Sequence, residues 1–304
     1  MIKDDLWEYT LQVQDNGKKY LDILAHKFHF SRNLLQKLKQ GEHAWANGKF
    51  TYLSSRGHTG DILTLQLQME EPPNIPGELL PLDILFEDDF LLIINKPPGQ
   101  VVHPNSRYPK GTLGNAVVGY WNSKGTPHPF RPVHRIDRNT SGIVVIAKNR
   151  FAHQQLAYQL EHKLIQKEYI GIVHGQVQES QGIINQPIGL APGSFVQRIV
   201  SPDGLPALTR YQVLARYPQA TLMKFVLDTG RTHQIRAHCQ FLGHPLIGDD
   251  LYGGERRILQ RQALHSFLYG FYHPATEAWV SFRAPWPRDL IDLVLRLNPK
   301  HIIF

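Results

Sequence analysis

Four prolines fall between Glu70 and Pro81, and no other feature divides the chain so firmly. Proline fixes one backbone angle and lacks an amide donor, so this stretch suits neither a helix interior nor a sheet. A chain of 304 residues is long enough for two domains. The break therefore predicts a small domain over 1–70, a linker over 71–80 and a larger domain over 81–304. With 42% hydrophobic and 19% charged residues the chain can form a core, which excludes global disorder, collagen and coiled coil. The longest apolar runs, Leu91–Ile94 and Ile143–Ala147, fall far short of the roughly 20 residues of a membrane helix. Met1-Ile2-Lys3-Asp4-Asp5 has no secretory pattern, and the single Cys239 permits no internal disulfide. The expected address is the cytoplasm.

In the first part, Leu21, Leu24, Ala25 and Phe28 mark a helical face within Tyr20–Phe30. Ser31 is an N-cap candidate for a second helix with Leu34, Leu35 and Leu38 inward, stopped at Gly41. Asn47-Gly48 reads as a turn, and Ile62–Leu67 alternates like a half-buried strand.

The second part reads as strands at Leu91–Asn95, Ile143–Ala147, Tyr169–Val173, Leu222–Asp228 and around Val280 and Phe282. Helices are expected after Thr112, through Ala152, Leu156, Leu160 and Leu164, and over His233–Leu242 with Thr232 as cap. Strands are not followed one for one by helices. This predicts an α+β fold on a mixed or antiparallel sheet, not a doubly wound parallel one.

The net charge of +7 is uneven. Between Lys27 and His58 stand six Lys or Arg, among them Arg32, Lys37, Lys39 and Lys49, against the single Glu42. Such a face is either merely solvated or the footprint of a phosphate backbone, and acidic partners would attract it too. The glycine signatures of dinucleotide and nucleoside-triphosphate binding are absent. His103, His134, His233, His238 and His244 form the pool for a metal, but His233 and His238 are five apart and fall on different faces of a helix. No metal is expected.

Two segments are too polar for their setting. Arg131–Gly142 runs directly into the apolar strand 143–147, placing Asp137 between Arg135 and Arg138 at the edge of a core. A carboxylate there should stay an anion, fit to act as nucleophile or weak base. Alternatively it pairs with one of those arginines and does nothing chemical. The second segment is Asp228–His238. Arg231, near a helix start, needs an anion to answer it, and Asp137 is the first choice. Solvent or Asp228 are the alternatives. Tyr169 opens a strand beside Gly171 and is either a stacking plate for a flipped base or an ordinary core tyrosine.

These residues resemble the RluA-type pseudouridine synthases. His134-Arg135-Ile136-Asp137-Arg138-Asn139-Thr140-Ser141-Gly142, with Ala147-Lys148, is similar to the segment that carries the family's catalytic aspartate. Lys167-Glu168-Tyr169 and Val173-His174-Gly175 are similar to its second motif, and Gly230–Arg236, His238, Gly243, Pro245, Gly248-Asp249 and Tyr252-Gly253 to its third. Asn95–Gly99 with Val102-His103-Pro104, and Leu264-His265 with His273-Pro274, are similar to its first and last strands. Residues 18–67 resemble the small RNA-binding module of a ribosomal small-subunit protein, through Leu21, Leu24, Ser31-Arg32, Leu38, Gly41, Asn47-Gly48-Lys49 and Gly60-Asp61.

The resemblance implies an isomerase that converts uridine to pseudouridine in RNA, without cofactor or metal, as a monomer. It implies Asp137 as the group acting on the ribose, Arg231 as its clamp and Tyr169 as the plate under the base. Arg135 would fill the gap the base leaves. His134, Arg138 and Thr140 would lie along the substrate, with Ile235 and Leu268 as the apolar wall. Ribosomal large-subunit RNA is the substrate it points to, with transfer RNA second. A degenerate, inactive RNA-binding protein is the competing reading.

Overall fold

The computed structural model describes residues 2–3, 6–67 and 73–298. Residues 71 and 72 of the expected linker lie outside them. The first part holds β1 (Ile2–Lys3), β2 (Leu6–Thr10), α1 (Tyr20–His26), α2 (Arg32–Lys39), β3 (Ala44–Ala46), β4 (Lys49–Phe50) and β5 (Ile62–Gln66). The strands form one antiparallel sheet, ordered β1-β2-β5-β3-β4. Ser31 caps α2 as expected, accepting the Leu34 amide at 3.2 Å, and Leu34, Leu35 and Leu38 are buried. Helix α1 stops at His26, short of Phe30, because His29 turns left-handed (φ 53°) and lets the Phe30 amide reach the Leu24 carbonyl at 2.9 Å.

Residues 73–80 have the irregular backbone that prolines impose, yet they are seated on the next helix. Asn74 exchanges two hydrogen bonds with the backbone of Phe130, and the Glu78 amide donates to the Asn115 carbonyl at 2.8 Å.

The rest of the chain comprises β6 (Ile84–Glu87), β7 (Leu91–Lys96), α3 (Leu113–Ser123), β8 (Ser141–Ala147), α4 (Arg150–Glu161), β9 (Gln166–His174) and β10 (Gln181–Asn185). It continues with β11 (Ile188–Leu190), β12 (Arg198–Val200), β13 (Leu208–Tyr217), β14 (Ala220–Leu227), α5 (Gln234–Phe241), β15 (Leu264–Tyr272), β16 (Trp279–Arg283) and α6 (Arg288–Leu297). Strand order in the large sheet is β10-β13-β14-β9-β15-β8-β7-β6, with β16 on β15, and β11 pairs with β12. The β15–β8 pair is parallel and the other pairs in this sheet are antiparallel. The fold is α+β on a mixed sheet.

Period-two alternation explains the layers. From β7 and β8, Leu92, Ile94, Val144 and Ile146 face α3, while Leu91, Ile93, Ile143 and Val145 face the side of α4. Both faces are covered, which is why Ile143–Ala147 reads as an unbroken apolar run. Likewise Tyr169, Val173 and Phe225 meet α5, and Ile170, Ile172 and Leu222 meet α6. Helix α4 ends at Glu161, and a left-handed Lys163 (φ 58°) leaves Leu164 exposed, against the expected helical face.

The first part docks on α4. Trp7 and Phe30 pack on Phe151 (ring centroids 6.3 and 5.5 Å), and His29 stacks on Tyr158 at 4.0 Å. The Gln155 amide donates to the Phe28 carbonyl at 2.5 Å. One apolar core runs from Leu24 and Leu63 through Phe151 to Phe271.

Candidate active site

The turn carrying Asp137 is pinned on all sides. Just before β8 the Thr140 amide closes onto the Asp137 carbonyl at 3.1 Å. The Arg138 carbonyl accepts from the Gly99 amide (2.9 Å) and from Lys96 Nζ (3.0 Å). Lys96 is fully buried, and its other two protons go to the Pro97 and Gln100 carbonyls at 2.7 and 2.9 Å. Burial and then Arg261 lower its ammonium to about 7, while the charge of Asp137 acts the other way. Arg261 holds the Asn139 carbonyl at 3.1 Å and is itself fixed by Asp289 at 2.6 and 2.9 Å. Gln262 donates to Thr140 Oγ1 at 3.2 Å. Beyond the turn, Gly142 (φ +107°) is required: a Cβ there would lie 2.1 Å from the Ser266 carbonyl oxygen of β15.

Asp137 opens onto a cleft of about 1110 Å³ between the turn that leads into β8, β9 and the approach to α5. Its side chain is 23% exposed. His134, Arg135, Thr140, Tyr169, Arg231 and Ile235 all line the same cleft, so the structure brings these predicted residues together.

It does not make Arg231 the clamp. Arg231 Nε donates to the Pro206 carbonyl at 3.1 Å, and Asp228 is taken by Arg210 at 2.9 Å. Arg236 holds Asp137 instead, with one nitrogen 3.2 Å from Oδ2. The rest of its guanidinium grips buried Asp249 with two bonds of 2.8 and 2.7 Å, and it lies over the Tyr252 ring at 4.8 Å. These two carboxylates keep Arg236 firmly protonated although it is buried. The reason is local. His233 is left-handed (φ 57°) and serves as the N-cap in place of Thr232, so α5 begins only at Gln234. Gln234 accepts the Arg231 amide and the Thr229 hydroxyl at 3.0 and 2.8 Å, closing a turn before the helix and leaving Arg236 in its first turn, beside the carboxylate.

Tyr169 is buried, and burial pushes its phenol up to about 12, so it stays protonated at neutral pH. It packs with Ile235 and Leu264. Leu268 is buried but does not line the cleft; Leu264 does. A β-bulge between Ser266 and Leu268 is responsible: Ser266 pairs with Tyr169 but Leu268 with Glu168, on the opposite face. His134 lies flat on Tyr269 (4.2 Å, 9°) and accepts the Val145 amide at 3.2 Å. Burial, then Lys167, lowers it to about 3, so it is neutral. Arg135 is exposed. Arg138 is turned from the cleft, donating to the Gly99 carbonyl and the Tyr108 hydroxyl at 3.0 Å each. In the first part Arg32, Lys39 and Lys49 are exposed and Lys37 is half-buried.

Among the described residues no group of three His, Cys, Asp or Glu side chains is placed to hold a metal. His238 is occupied by the Gln186 carbonyl (3.0 Å) and the Thr209 hydroxyl (2.9 Å). Nor is any helix among these residues long and apolar enough to cross a membrane.

A family model described as RNA pseudouridylate synthase matches residues 90–241. The Bacillus subtilis protein described as uncharacterized RNA pseudouridine synthase YjbO is 38% identical over 272 residues, 89% of this chain and 96% of its own. Ribosomal large subunit pseudouridine synthase D of Vibrio cholerae is 34% identical over 309 residues, 96% and 95% of the two chains. The solved structure of human RNA Pseudouridylate Synthase Domain Containing 1 matches with a TM-score of 0.57 at 25% identity, over 73% of this chain and 98% of that one. A mixed sheet with a carboxylate and an arginine at the mouth of one cleft, together with this extent of likeness, places the chain in the RluA-type family of RNA pseudouridine synthases.

Proposed function

We propose that Asp137 is the residue that acts on the target uridine, and that the substrate is ribosomal large-subunit RNA. The observation that carries the first claim is the 3.2 Å contact between Arg236 and one oxygen of a carboxylate that is still open to the cleft. An RNA-binding surface has no use for an anion that phosphate repels. In the reaction the N1–C1′ bond breaks, the uracil turns in the pocket, and C5 bonds to C1′ while the C5 proton is lost and N1 gains one. Attack on the anomeric carbon, or removal of the neighbouring ribose proton to give a glycal, would each begin at the same carboxylate. Tyr169, kept protonated by burial, would supply a flat face for the turning base. Arg135, exposed at the rim, would occupy the space the flipped base leaves.

The choice of RNA is supported by the ribosomal large-subunit names of relatives that share nearly the full length. The unit over 1–70, with Arg32, Lys39 and Lys49 in solvent, would add grip on phosphates.

The deciding experiment measures tritium release from RNA labelled at uridine C5. Asp137→Asn should fold and bind RNA as wild type does but release no tritium; release at the wild-type rate would sink the assignment. Mapping pseudouridines in total RNA from cells with and without the protein would name the substrate, and loss from transfer RNA alone would overturn the ribosomal choice.

A further inference from the structure

His233 belongs to the pool of five histidines considered for a metal, and the cleft gives it another place. It adopts a left-handed backbone, which costs a non-glycine residue energy and persists where the surroundings hold it. That backbone sends the imidazole between Tyr252 and Asp137, with the side chain 9% exposed. Nδ1 lies 2.9 Å from the Tyr252 hydroxyl, and Nε2 lies 3.8 Å from Asp137 Oδ2.

The bonds favour one tautomer. The Tyr252 oxygen already accepts the Arg198 amide at 2.9 Å, so its own proton is free to go to His233 Nδ1. Burial lowers the imidazole below its ordinary range, keeping it neutral. A neutral ring that accepts at Nδ1 carries its proton on Nε2, the nitrogen that faces Asp137. Arg236 also contacts Oδ2, while Oδ1 has no hydrogen-bond partner among the described residues. Catalytic hydrogen bonds are often long before substrate arrives and shorten in the complex.

We propose that His233 is a positioning residue that donates its Nε2 proton to Asp137 Oδ2 once RNA fills the cleft, so that Oδ2 is held from two directions and Oδ1 is the oxygen presented to the ribose. Tyr252 fixes the tautomer that makes this work. The inference rests on Asp137 being the reacting carboxylate.

Single-turnover tritium release, with enzyme varied to separate the saturated rate from half-saturation, tests it. His233→Asn tolerates the left-handed backbone but is too short to reach Asp137. Its saturated rate should fall tenfold or more, with half-saturation within twofold of wild type. His233→Gln restores a donor near the Nε2 position and should recover to within about threefold of wild type. Tyr252→Phe, which frees the tautomer, should lose three- to tenfold in the saturated rate, and it carries the test if His233→Asn does not fold. Equal losses in the Asn and Gln variants, a loss confined to half-saturation, or no loss would each overturn the proposal. Asp137→Asn in the same assay separates the two claims. If it turns over RNA, the assignment of Asp137 fails; if it is dead while His233→Asn is fully active, only the role of His233 fails.

Discussion

Arg236 and Asp249 form a two-bonded, buried ion pair from which a third guanidinium nitrogen extends 3.2 Å to Asp137. The arginine that touches the cleft carboxylate is thus oriented by a second acid on the far side, before any substrate arrives. Lysine could not copy this, since it has one nitrogen and no fork. Arg236→Lys should lower kcat/KM by about a hundredfold or more, roughly 2.7 kcal/mol. Arg231→Ala should instead raise half-saturation for RNA several-fold and leave the saturated rate within about threefold. Kinetics on labelled RNA read both, and the reverse ranking would restore Arg231 as the clamp.

Buried Lys96 gives its three donors to a knot of carbonyls, those of Pro97, Gln100 and Arg138. Lys96→Met fills the space but takes the ammonium donor from the Pro97 and Gln100 carbonyls and leaves the Arg138 carbonyl only the Gly99 amide; each buried oxygen left without a partner costs roughly 1–3 kcal/mol. The substitution should cost about 3 kcal/mol in urea denaturation, and an unchanged midpoint would show the knot to be dispensable.

His265 of β15 is fully buried beside β8, where Ser141 Oγ lies 3.0 Å from its Nδ1, and burial lowers it to about 4. Well above pH 6.5 neither the folded nor the unfolded chain protonates it. Between pH 6.5 and 4 the unfolded chain takes up a proton that the folded one refuses, so stability falls with falling pH. By pH 5 the loss should be roughly 1–2 kcal/mol from this residue. Urea midpoints from pH 7.5 to 5 should decline for wild type and decline less steeply for His265→Gln; parallel curves would remove His265 as the cause.

The basic surface of the first part is better tested by point changes than by deletion, because removing residues 1–70 would uncover Phe151 and Tyr158. Arg32→Glu, Lys39→Glu and Lys49→Glu together should weaken RNA binding and flatten its salt dependence. The slope of log affinity against log salt should shrink by up to about 0.9 for each phosphate that is no longer neutralised. Melting should stay near wild type, as all three side chains are in solvent. An unchanged slope would mark the patch as merely solvated.

Features with a local physical cause were open to reading. The Ser31 and Thr112 caps, the covered run Ile143–Ala147 and the placement of Asp137 before it all follow from neighbours in the chain. What depends on distant partners was not. Strand β2 alternates too briefly to stand out, and Trp7 is buried by partners distant in the chain, Phe28, Phe30 and Phe151. Leu268 was lost to a one-residue bulge that turns its side chain to the other face. Choosing between Arg231 and Arg236 needed the left-handed turn at His233 and the position of Asp249, neither of which spacing reveals.

The turn bearing Asp137 is fastened from within the fold by Lys96, Gly99, Arg261 and Gln262, while Arg135 stands in solvent at its edge. If Arg135 meets RNA as proposed, substitutions at that edge would change the grip without loosening the carboxylate beneath. On the proposed roles, chemistry and target choice would rest on separate sets of side chains, and a change of substrate would not require a change of reaction.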